Sequence, residues 1–418
     1  MLKESCPNYQ RRFWGFDIPM GRIPSLAAIG SCIYIASFSI PFKLNIDIQL
    51  FIVATLSILV AVTNLKNRSV ATLPLRFPIL IYLVATGISI LSSYDVGRSL
   101  QLSLPLLPAV LLFFLIADYF NGVKDVRLLF FTFSLVSLGI SSVLLWTACI
   151  NKVIDPSAWV MDMGSTIFVV KNDVTFLAVL APFSLALLYR EPRRLYGIVA
   201  VLSILLSIAV VGIFQSRGAM LTMVASITCF FILIRPKIGL ICGLATIVLV
   251  LLIDGFMGFP LAERFGQHWD GSGRIPLWLS AWEMFLDAPL LGQGPHTFVL
   301  LYDSYLQNLS LPSWLFVDPR IVPWPHSLYL EVLAEQGIVG FISLGLLLFC
   351  GILAAWSLRR ASFKDVQIFG YGVFAGMAGF CVAASIELTF LRQWVVLIMF
   401  ALLGVIAQLS SFDKKQRR

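Results

Sequence analysis

A histidine followed by an apolar segment is the part of this sequence best suited to chemistry. His326 opens the segment HSLYLEVLAEQGIVG, and the chain has only three histidines in 418 residues. The preceding Pro-Trp-Pro restricts the backbone, so we expect the imidazole at the N-terminus of a helix that ends near Gly337. A helix N-terminus disfavours the imidazolium, so His326 should be neutral at about pH 7 and able to act as a general base. An anchoring or hydrogen-bonding role is the alternative.

Two arginines could supply the positive charge that an anionic leaving group requires. Arg217 lies in the turn QSRG between two apolar segments, where a partly desolvated guanidinium can bind phosphate through two parallel hydrogen bonds. Arg274 precedes an amphipathic segment, so its charge and the free N–H groups of a helix N-terminus would point at the same anion. The alternatives are an Arg217 that snorkels or pairs with Asp254, and a solvated Arg274.

Four other charged residues are weaker candidates. Lys171 stands with Asp173 at the start of an apolar segment, where ionisable residues are functional candidates by default, although mutual pairing explains them equally well. Arg264 is a possible third phosphate contact. Glu387 and Arg392 flank the last turn on the same side of the membrane, where they could form a salt bridge or orient the histidine.

The elements that position these residues belong to an integral membrane protein. Hydrophobic residues make up 59% of the chain and charged residues 12%, and the mean hydropathy is +0.91, which excludes a soluble enzyme. The net charge of +8 reflects loop orientation and contact with anionic lipid rather than nucleic acid. The seven cysteines have no CxxC pair and no metal-like spacing with histidine, so we expect packing roles and no metal site.

Apolar segments predict an all-α polytopic fold with about twelve transmembrane helices. They cover residues 23–42, 46–64, 73–92, 102–121, 126–150, 167–189, 195–214, 219–235, 238–254, 327–357, 366–386 and 390–410. The first has no cleavage pattern and is interpreted as an uncleaved span. Clusters of lysine and arginine fall in alternate loops, which predicts that both termini are cytoplasmic.

One long connection divides the chain into three parts. We expect transmembrane helices 1–9 in residues 1–254, a large extracytoplasmic loop in residues 255–326, and helices 10–12 with a basic tail in residues 327–418. The loop contains an amphipathic helix, which could lie in the headgroup layer as a lid or substrate guide. Its apolar residues recur at three-and-four spacing: Ile275, Trp278, Leu279, Trp282, Phe285 and Leu286.

These motifs together resemble the O-antigen ligase and polymerase superfamily of polytopic glycosyltransferases. The resemblance rests on SRGAM, GRIPLWLSAWEMFLDAPLLGQGPHTF and HSLYLEVLAEQGIVG, all in the C-terminal half. The ligase and protein O-oligosaccharyltransferase branches carry His, then Asn, Ser or Gln, nine variable residues, Gly, two residues, and Gly, Thr or Tyr. His326, Ser327, Gly337 and Gly340 match this pattern completely.

The resemblance implies a GT-C-like enzyme of the bacterial inner membrane. Such an enzyme transfers a glycan from undecaprenyl diphosphate, at the periplasmic face, to a sugar hydroxyl of lipid A-core, with inversion and without a metal, nucleotide or other cofactor. Arg217 and Arg274 correspond to the family's diphosphate-binding arginines, and His326 to its essential histidine. Weaker substrate-binding candidates are Arg264, Ser327, Glu387, Arg392, Lys171 and His296.

One departure from the family concerns His296 and Thr297, which stand where relatives usually have glycine or asparagine. His296 is either an acceptor-sugar contact or, as we favour, a surface loop histidine. His268 has no counterpart and no expected role.

Three functions remain in competition at this stage. The first is the O-antigen ligase, and the second is a polymerase or a protein O-oligosaccharyltransferase, which shares the arginines and the loop. The third is a transporter or flippase, but transporters place ionisable groups near the midplane and are typically built from repeated halves, which this chain does not show. Two lipid-anchored substrates predict a large cavity open to the periplasm and to lipid.

Overall fold

Fourteen α-helices account for most of the computed structural model, which describes residues 12–13, 16–17, 25–37, 52, 54–56, 75–151, 174–192, 195–214, 216–256, 273–318 and 322–417. Arg12–Phe13 and Phe16–Asp17 form a two-residue antiparallel ladder. The helices are α1 (Leu26–Ser37), α2 (Arg76–Leu91), α3 (Val96–Ser103), α4 (Leu106–Tyr119), α5 (Val123–Asn151), α6 (Thr175–Arg190), α7 (Leu195–Ile213), α8 (Arg217–Ile234), α9 (Pro236–Phe256), α10 (Arg274–Asp287), α11 (Phe298–Asn308), α12 (Leu328–Ser357), α13 (Lys364–Ile386) and α14 (Gln393–Arg417).

The predicted all-α polytopic membrane fold is confirmed. Among the described residues, eight helical segments are long and apolar enough to cross a membrane, with α3 and α4 counted as one, and α1, α2 and α6 are shorter apolar helices. Predicted span 46–64 lies almost entirely outside the described residues, so the count of twelve stays a prediction. The surface of α9 exposes large apolar side chains such as Leu240 and Ile241, as expected of a helix in contact with lipid.

The core is built around α13 and α14. Every residue of α14 from Trp394 to Ser410 is buried. Helix α13 packs against α6, α8, α12 and α14. A Cβ atom at Gly376 would lie 2.9 Å from the ring of Phe183, so small residues let these helices approach closely.

Ion pairs join the helices at one end of the bundle, which we call the basic end. Arg127 at the start of α5 pairs with Glu191 after α6 (2.8 Å), and Arg190 pairs with Asp365 at the start of α13. Because α13 begins here, Glu387, which caps its C-terminus, lies at the opposite end of the bundle. Arg127 and Arg190 belong to the basic loop clusters from which the sequence predicts the cytoplasmic side. The orientation of the chain in the membrane stays a prediction.

Helix α10 confirms a helix in the predicted loop, and it is apolar on two faces. The expected apolar face includes Leu279, Trp282 and Leu286, and these side chains are exposed. The opposite face, which carries Ser280, is buried against α12 because Leu277, Ala281 and Met284 also lie there. The helix is therefore apolar on two sides, and its outward face remains available for a membrane surface.

Helix α12 breaks at Gly337, where we expect the histidine helix to end. This glycine has φ 62° and ψ −164°, a conformation that L side chains rarely adopt, and the helix resumes immediately after it. A Cβ atom at Gly337 would lie 2.4 Å from the carbonyl oxygen of Leu290, and one at Gly292 would lie 2.2 Å from the carbonyl carbon of Glu335. The two glycines thus let the turn at residues 292–294, which we call the GQG turn, lie directly against the break in α12.

Candidate active site

A buried carboxylate at the C-terminal end of α13 brings several predicted site residues together. Glu387 is 2% exposed, and its Oε2 accepts a hydrogen bond from a terminal nitrogen of Arg274 at 2.7 Å. Its Oε1 lies 3.8 Å from Nδ1 of His326. A charge-assisted contact of this kind holds a guanidinium in a fixed position. Glu387 therefore contacts α10 and the residue that precedes α12.

The N-terminus of α8 reaches the same carboxylate. Ser216 caps this helix, since its hydroxyl accepts the N–H of Ala219 at 3.3 Å, and Arg217 is the first helical residue and half-buried. The next residue, Gly218, lies against Glu387, because a Cβ atom there would be 3.0 Å from Oε2. Three helices, α8, α10 and α12, thus begin around Glu387, and their free N–H groups make this region favourable for an anion.

His326 is held by the segment that precedes α12. Its backbone has φ 54°, and its ring lies against the indole of Trp324 with centroids 5.4 Å apart. The indole N–H donates to Nδ1 of His326 at 3.2 Å, and the guanidinium of Arg392 lies 4.7 Å from the centre of the same indole. The indole N–H of Trp278 on α10 donates to the carbonyl oxygen of Pro325 at 3.0 Å. The aromatic contacts therefore fix the position of the imidazole.

The hydrogen bond from Trp324 has a consequence for the protonation of the imidazole. Because Nδ1 of His326 accepts this bond, a neutral ring carries its proton on Nε2. To accept a proton at Nε2, the neutral imidazole must instead carry its hydrogen on Nδ1. That N–H would then face Oε1 of Glu387, 3.8 Å away.

Ser327 caps the N-terminus of α12. It is buried, and its hydroxyl accepts the N–H of Leu330 at 3.5 Å as the N-cap of α12. The predicted site residues Lys171 and Arg264 lie outside the described residues, as do Asp173 and His268.

The structure corrects the interpretation of His296 as a surface loop histidine. The residue is 5% exposed and has φ 64°. Burial, with a further contribution from the charge of Arg98, lowers the pKa of His296 to about 4, so the imidazole is neutral. Its backbone N–H donates to Glu335 at 2.7 Å. A burial this complete also argues against direct contact with an acceptor sugar.

Two glutamates that sequence reasoning missed lie directly below His326 on α12. Glu335 accepts the N–H groups of His296 and Phe298, and so fixes the loop after the GQG turn to α12. Glu331 accepts the N–H of Phe390 at 3.0 Å, which ties the turn after Glu387 to the same helix. Their four-residue spacing in an apolar segment is the signal that could have found them, because ionisable residues in such segments are rarely incidental.

A cavity of about 770 Å³ lies away from this site. It is lined by α8, by the first half of α13 and by Trp356, Arg359 and Arg360, toward the basic end. It is therefore not the substrate cavity that the sequence predicts beside His326, which stays a prediction.

The arrangement as a whole combines an anion-binding region with a proton acceptor. Arg274, the N-terminus of α8 that carries Arg217, and His326 all adjoin Glu387. Such a site can stabilise a departing anion while a neighbouring group removes a proton.

Comparison with known proteins finds a family match for part of the chain. Residues 202–345 match the family model described as O-antigen ligase. The matched region runs from the second part of α7, through α8 to α11, to the first part of α12, and it contains Arg217, Arg274 and His326. No curated protein matches the chain.

Proposed function

We propose that this chain, a membrane protein of the O-antigen ligase and polymerase superfamily by its domain at residues 202–345, is an O-antigen ligase. It transfers a glycan from undecaprenyl diphosphate to a sugar hydroxyl of lipid A-core at the periplasmic face of the inner membrane. The observation that carries the proposal is the convergence of Arg274, His326 and the N-terminus of α8 on the buried Glu387.

The proposed reaction is a direct displacement with inversion. The acceptor hydroxyl attacks the anomeric carbon, its proton passes to His326, and the bond from the anomeric carbon to the diphosphate oxygen breaks with its electron pair. Arg217 and Arg274, together with the N–H groups at the starts of α8 and α10, stabilise the charge that develops on the diphosphate. The lipid diphosphate is the leaving group, so no nucleotide is consumed.

Proton transfer requires a small rearrangement of His326. The base in this mechanism is Nε2, so Nδ1 must carry the other proton and donate it to Glu387, which lies 3.8 Å away. We infer that substrate binding shortens this distance and separates Nδ1 from the indole N–H of Trp324. Catalytic hydrogen bonds are often long in the absence of substrate and tighten in the reacting complex. Glu387 would then orient the base and hold Arg274 at the same time.

Two alternatives use the same residues. A polymerase would pass the glycan to another lipid-linked repeat, and a protein O-oligosaccharyltransferase would pass it to a serine or threonine. Both need the arginines and the histidine, so the acceptor alone separates them from the ligase.

The fate of the glycan in a deletion strain distinguishes these functions. Loss of a ligase leaves the lipopolysaccharide core without O-antigen while lipid-linked glycan accumulates, and electrophoresis of the lipopolysaccharide shows both. A core capped with one repeat identifies a polymerase, and an unchanged lipopolysaccharide with altered glycoproteins identifies the protein-modifying branch. Either result overturns the ligase proposal.

Point variants in the complemented strain test the residues. His326→Ala and Arg217→Ala should reproduce the deletion at normal protein levels, and Arg217→Lys should restore little, because lysine lacks the planar two-point contact with phosphate. His268→Ala and Arg359→Ala are the matched controls, since His268 has no assigned role and Arg359 stacks on Trp356 toward the basic end. Full transfer by His326→Ala contradicts the general-base role.

A further inference from the structure

A buried cluster of ligating side chains lies beneath the candidate active site and is not used by the proposed reaction. It consists of His296, Glu331 and Glu335, which we call the carboxylate–histidine cluster. One ring nitrogen of His296 and one carboxylate oxygen from each glutamate lie within 4.8 Å of one another. The three residues are 5%, 2% and 3% exposed. Two carboxylates this close repel each other strongly away from water.

Three buried polar atoms without hydrogen-bond partners in the described part of the chain belong to residues that line one small cavity beside the cluster. Within the described residues, Nδ1 of His296, Oε2 of Glu331 and Oγ of Ser103 are buried and have no hydrogen-bond partner. All three residues line one cavity of about 10 Å³, together with Glu335. Buried polar groups are normally satisfied, and three such atoms around one small space call for an occupant that they share. The volume is that of a single water molecule or a single ion.

We propose that the carboxylate–histidine cluster binds one divalent metal cation, with Zn²⁺ or Mn²⁺ as the chemical class. Its ligands are a ring nitrogen of His296, an oxygen of Glu331 and an oxygen of Glu335. The cation is structural, because the cluster is buried and none of its atoms is a proton acceptor in the proposed reaction. The inference does not depend on the identity of the glycan acceptor.

The donor set suits such a cation. One imidazole and two carboxylates are ligands of zinc and manganese in proteins, at about 2.0–2.2 Å from the metal. Ligands of one tetrahedral cation at these distances are about 3.3–3.6 Å apart, so binding would draw together the three donor atoms, which lie within 4.8 Å of one another. Glu335 keeps a free lone pair on each oxygen beyond the N–H groups of His296 and Phe298 that it accepts. Hydrogen bonds from the shell around a metal commonly orient its ligands in this way.

A cation here would join three parts of the chain. His296 lies in the loop before α11, both glutamates lie on α12, and Glu331 also accepts the N–H of Phe390 in the turn after Glu387. Arg98 donates its Nε–H to the carbonyl oxygen of His296 at 3.0 Å, and it is not among the residues that line the cavity. The cation would fix the loop, the helix and the turn below His326.

The test is the metal content and thermal unfolding of the full-length protein, purified in detergent without a polyhistidine tag. Mass-spectrometric metal analysis is expected to give about one Zn or Mn per chain. Removal by a chelator should lower the melting temperature by about 4 °C or more, and added Zn²⁺ or Mn²⁺ should restore it. Glu331→Gln should lose the metal and the response to chelator.

The matched control is Glu191→Gln, which alters a buried carboxylate at the basic end and should retain both properties. If Glu331→Gln does not fold, the measurements on the unaltered chain decide. A metal content below about 0.1 per chain, with no change in melting temperature on chelation or on addition of either metal, overturns the proposal and leaves a water molecule or a shared proton in the cavity.

Discussion

At the residue scale, Glu387 has two partners with different expected tasks. Arg274, which it binds at 2.7 Å, should contact the leaving group, and His326, 3.8 Å away, should accept the proton. A single carboxylate can serve both only if it remains ionised, because its charge holds the guanidinium and also stabilises the imidazolium formed during transfer. Its substitution should therefore affect the reaction more than the stability.

Glu387→Gln is expected to lower the rate of glycan transfer by about 100-fold at normal protein levels. The amide keeps the shape of the side chain but loses the charge that holds Arg274 and favours the imidazolium of His326. Transfer is measured with purified lipid-linked donor and acceptor in vesicles. Glu191→Gln is the control, because it removes the charge of another buried carboxylate in an arginine pair at 2.8 Å. Equal loss in both variants would mean that Glu387 acts only through stability.

Trp324→Phe is expected to keep at least the transfer rate of the unaltered chain. The phenyl ring preserves contact with the imidazole of His326 and with Arg392 but cannot donate a hydrogen bond to Nδ1. If that bond belongs only to the resting site, its loss favours the proton on Nδ1 that the mechanism needs. Trp356→Phe, under Arg359 toward the basic end, is the control. A tenfold slower Trp324→Phe would show that the indole N–H is needed during transfer.

The site residues that stand in a short motif could be predicted from the sequence. The residues that act by contacting distant parts of the chain were harder to predict. His326, Arg217 and Arg274 stand in short, recognisable segments. The sequence offers Glu387 as a residue that orients His326, which lies 3.8 Å from it. Its pairing with Arg274 could not be predicted, because Arg274 lies 113 residues earlier in the chain. The sequence favours His296 as a surface loop histidine, whereas in the structure Glu335 accepts its N–H and holds it inside the protein.

At the element scale, the break in α12 fixes the distance from His326 to the GQG turn. The helix ends its first part at Gly337, and the turn from Leu290 to Gly294 lies against that point. The N–H groups of Gln293 and Gly294 donate to the carbonyl oxygens of Ala334 and Glu335 at 3.0 and 2.8 Å. The break therefore exchanges hydrogen bonds within a helix for hydrogen bonds to a loop.

Gly337→Ala is expected to destabilise the protein by about 3 kcal/mol, because the new Cβ atom both requires a strained backbone and overlaps the carbonyl of Leu290. Gly345→Ala is the matched control on the same helix, where a Cβ atom meets nothing within 4 Å. That change should be neutral or stabilising by up to about 1 kcal/mol. Thermal unfolding in detergent measures both, and equal stability of the two variants would contradict the role of the break.

Ser327→Ala separates the two interpretations of this residue. As a helix cap the hydroxyl contributes about 1 kcal/mol of stability, so the variant should unfold at a lower temperature and keep most of its transfer activity. A substrate contact would instead give a loss of transfer at unchanged stability. Ser357, exposed near the other end of α12, provides the control substitution.

Helix positions were largely predictable from apolar periodicity, and the details of their faces were not. The predicted span 366–386 falls within α13, and the span 390–410 overlaps α14 from Gln393 onward, because a lipid environment demands a continuous apolar segment. Periodicity predicts the apolar face of α10 that is exposed, but it does not predict that the opposite face is buried. Burial of that opposite face depends on its contact with α12, which the sequence of α10 alone does not show.

At the scale of the whole molecule, charge is separated between the ends of the bundle. The basic end carries arginines paired with carboxylates at helix termini, and the other end carries the buried Glu387 paired with Arg274. The positive-inside tendency predicts that the basic end faces the cytoplasm. The candidate active site then faces the periplasm, where a lipid-linked glycan is presented.

Cysteine labelling tests this orientation. A cysteine at the exposed Asp303 on α11 should react with a membrane-impermeant maleimide in cells whose outer membrane is permeabilised, and one at the exposed Lys415 should react only after the inner membrane is opened. Each is compared with the unaltered chain, which reports labelling of the seven native cysteines. The reverse pattern would place the C-terminus outside and α11 inside, and would overturn the proposed periplasmic reaction.

The division of α12 also acts as a ruler for depth in the membrane. The part after Gly337 runs to Ser357, and about 20 helical residues rise about 30 Å, which matches the thickness of the hydrocarbon layer. The part before the glycine then stands above that layer, in the headgroup region. Glu331 and Glu335 are on this upper part. A sugar on a lipid diphosphate would meet His326 at the height where its own diphosphate already lies.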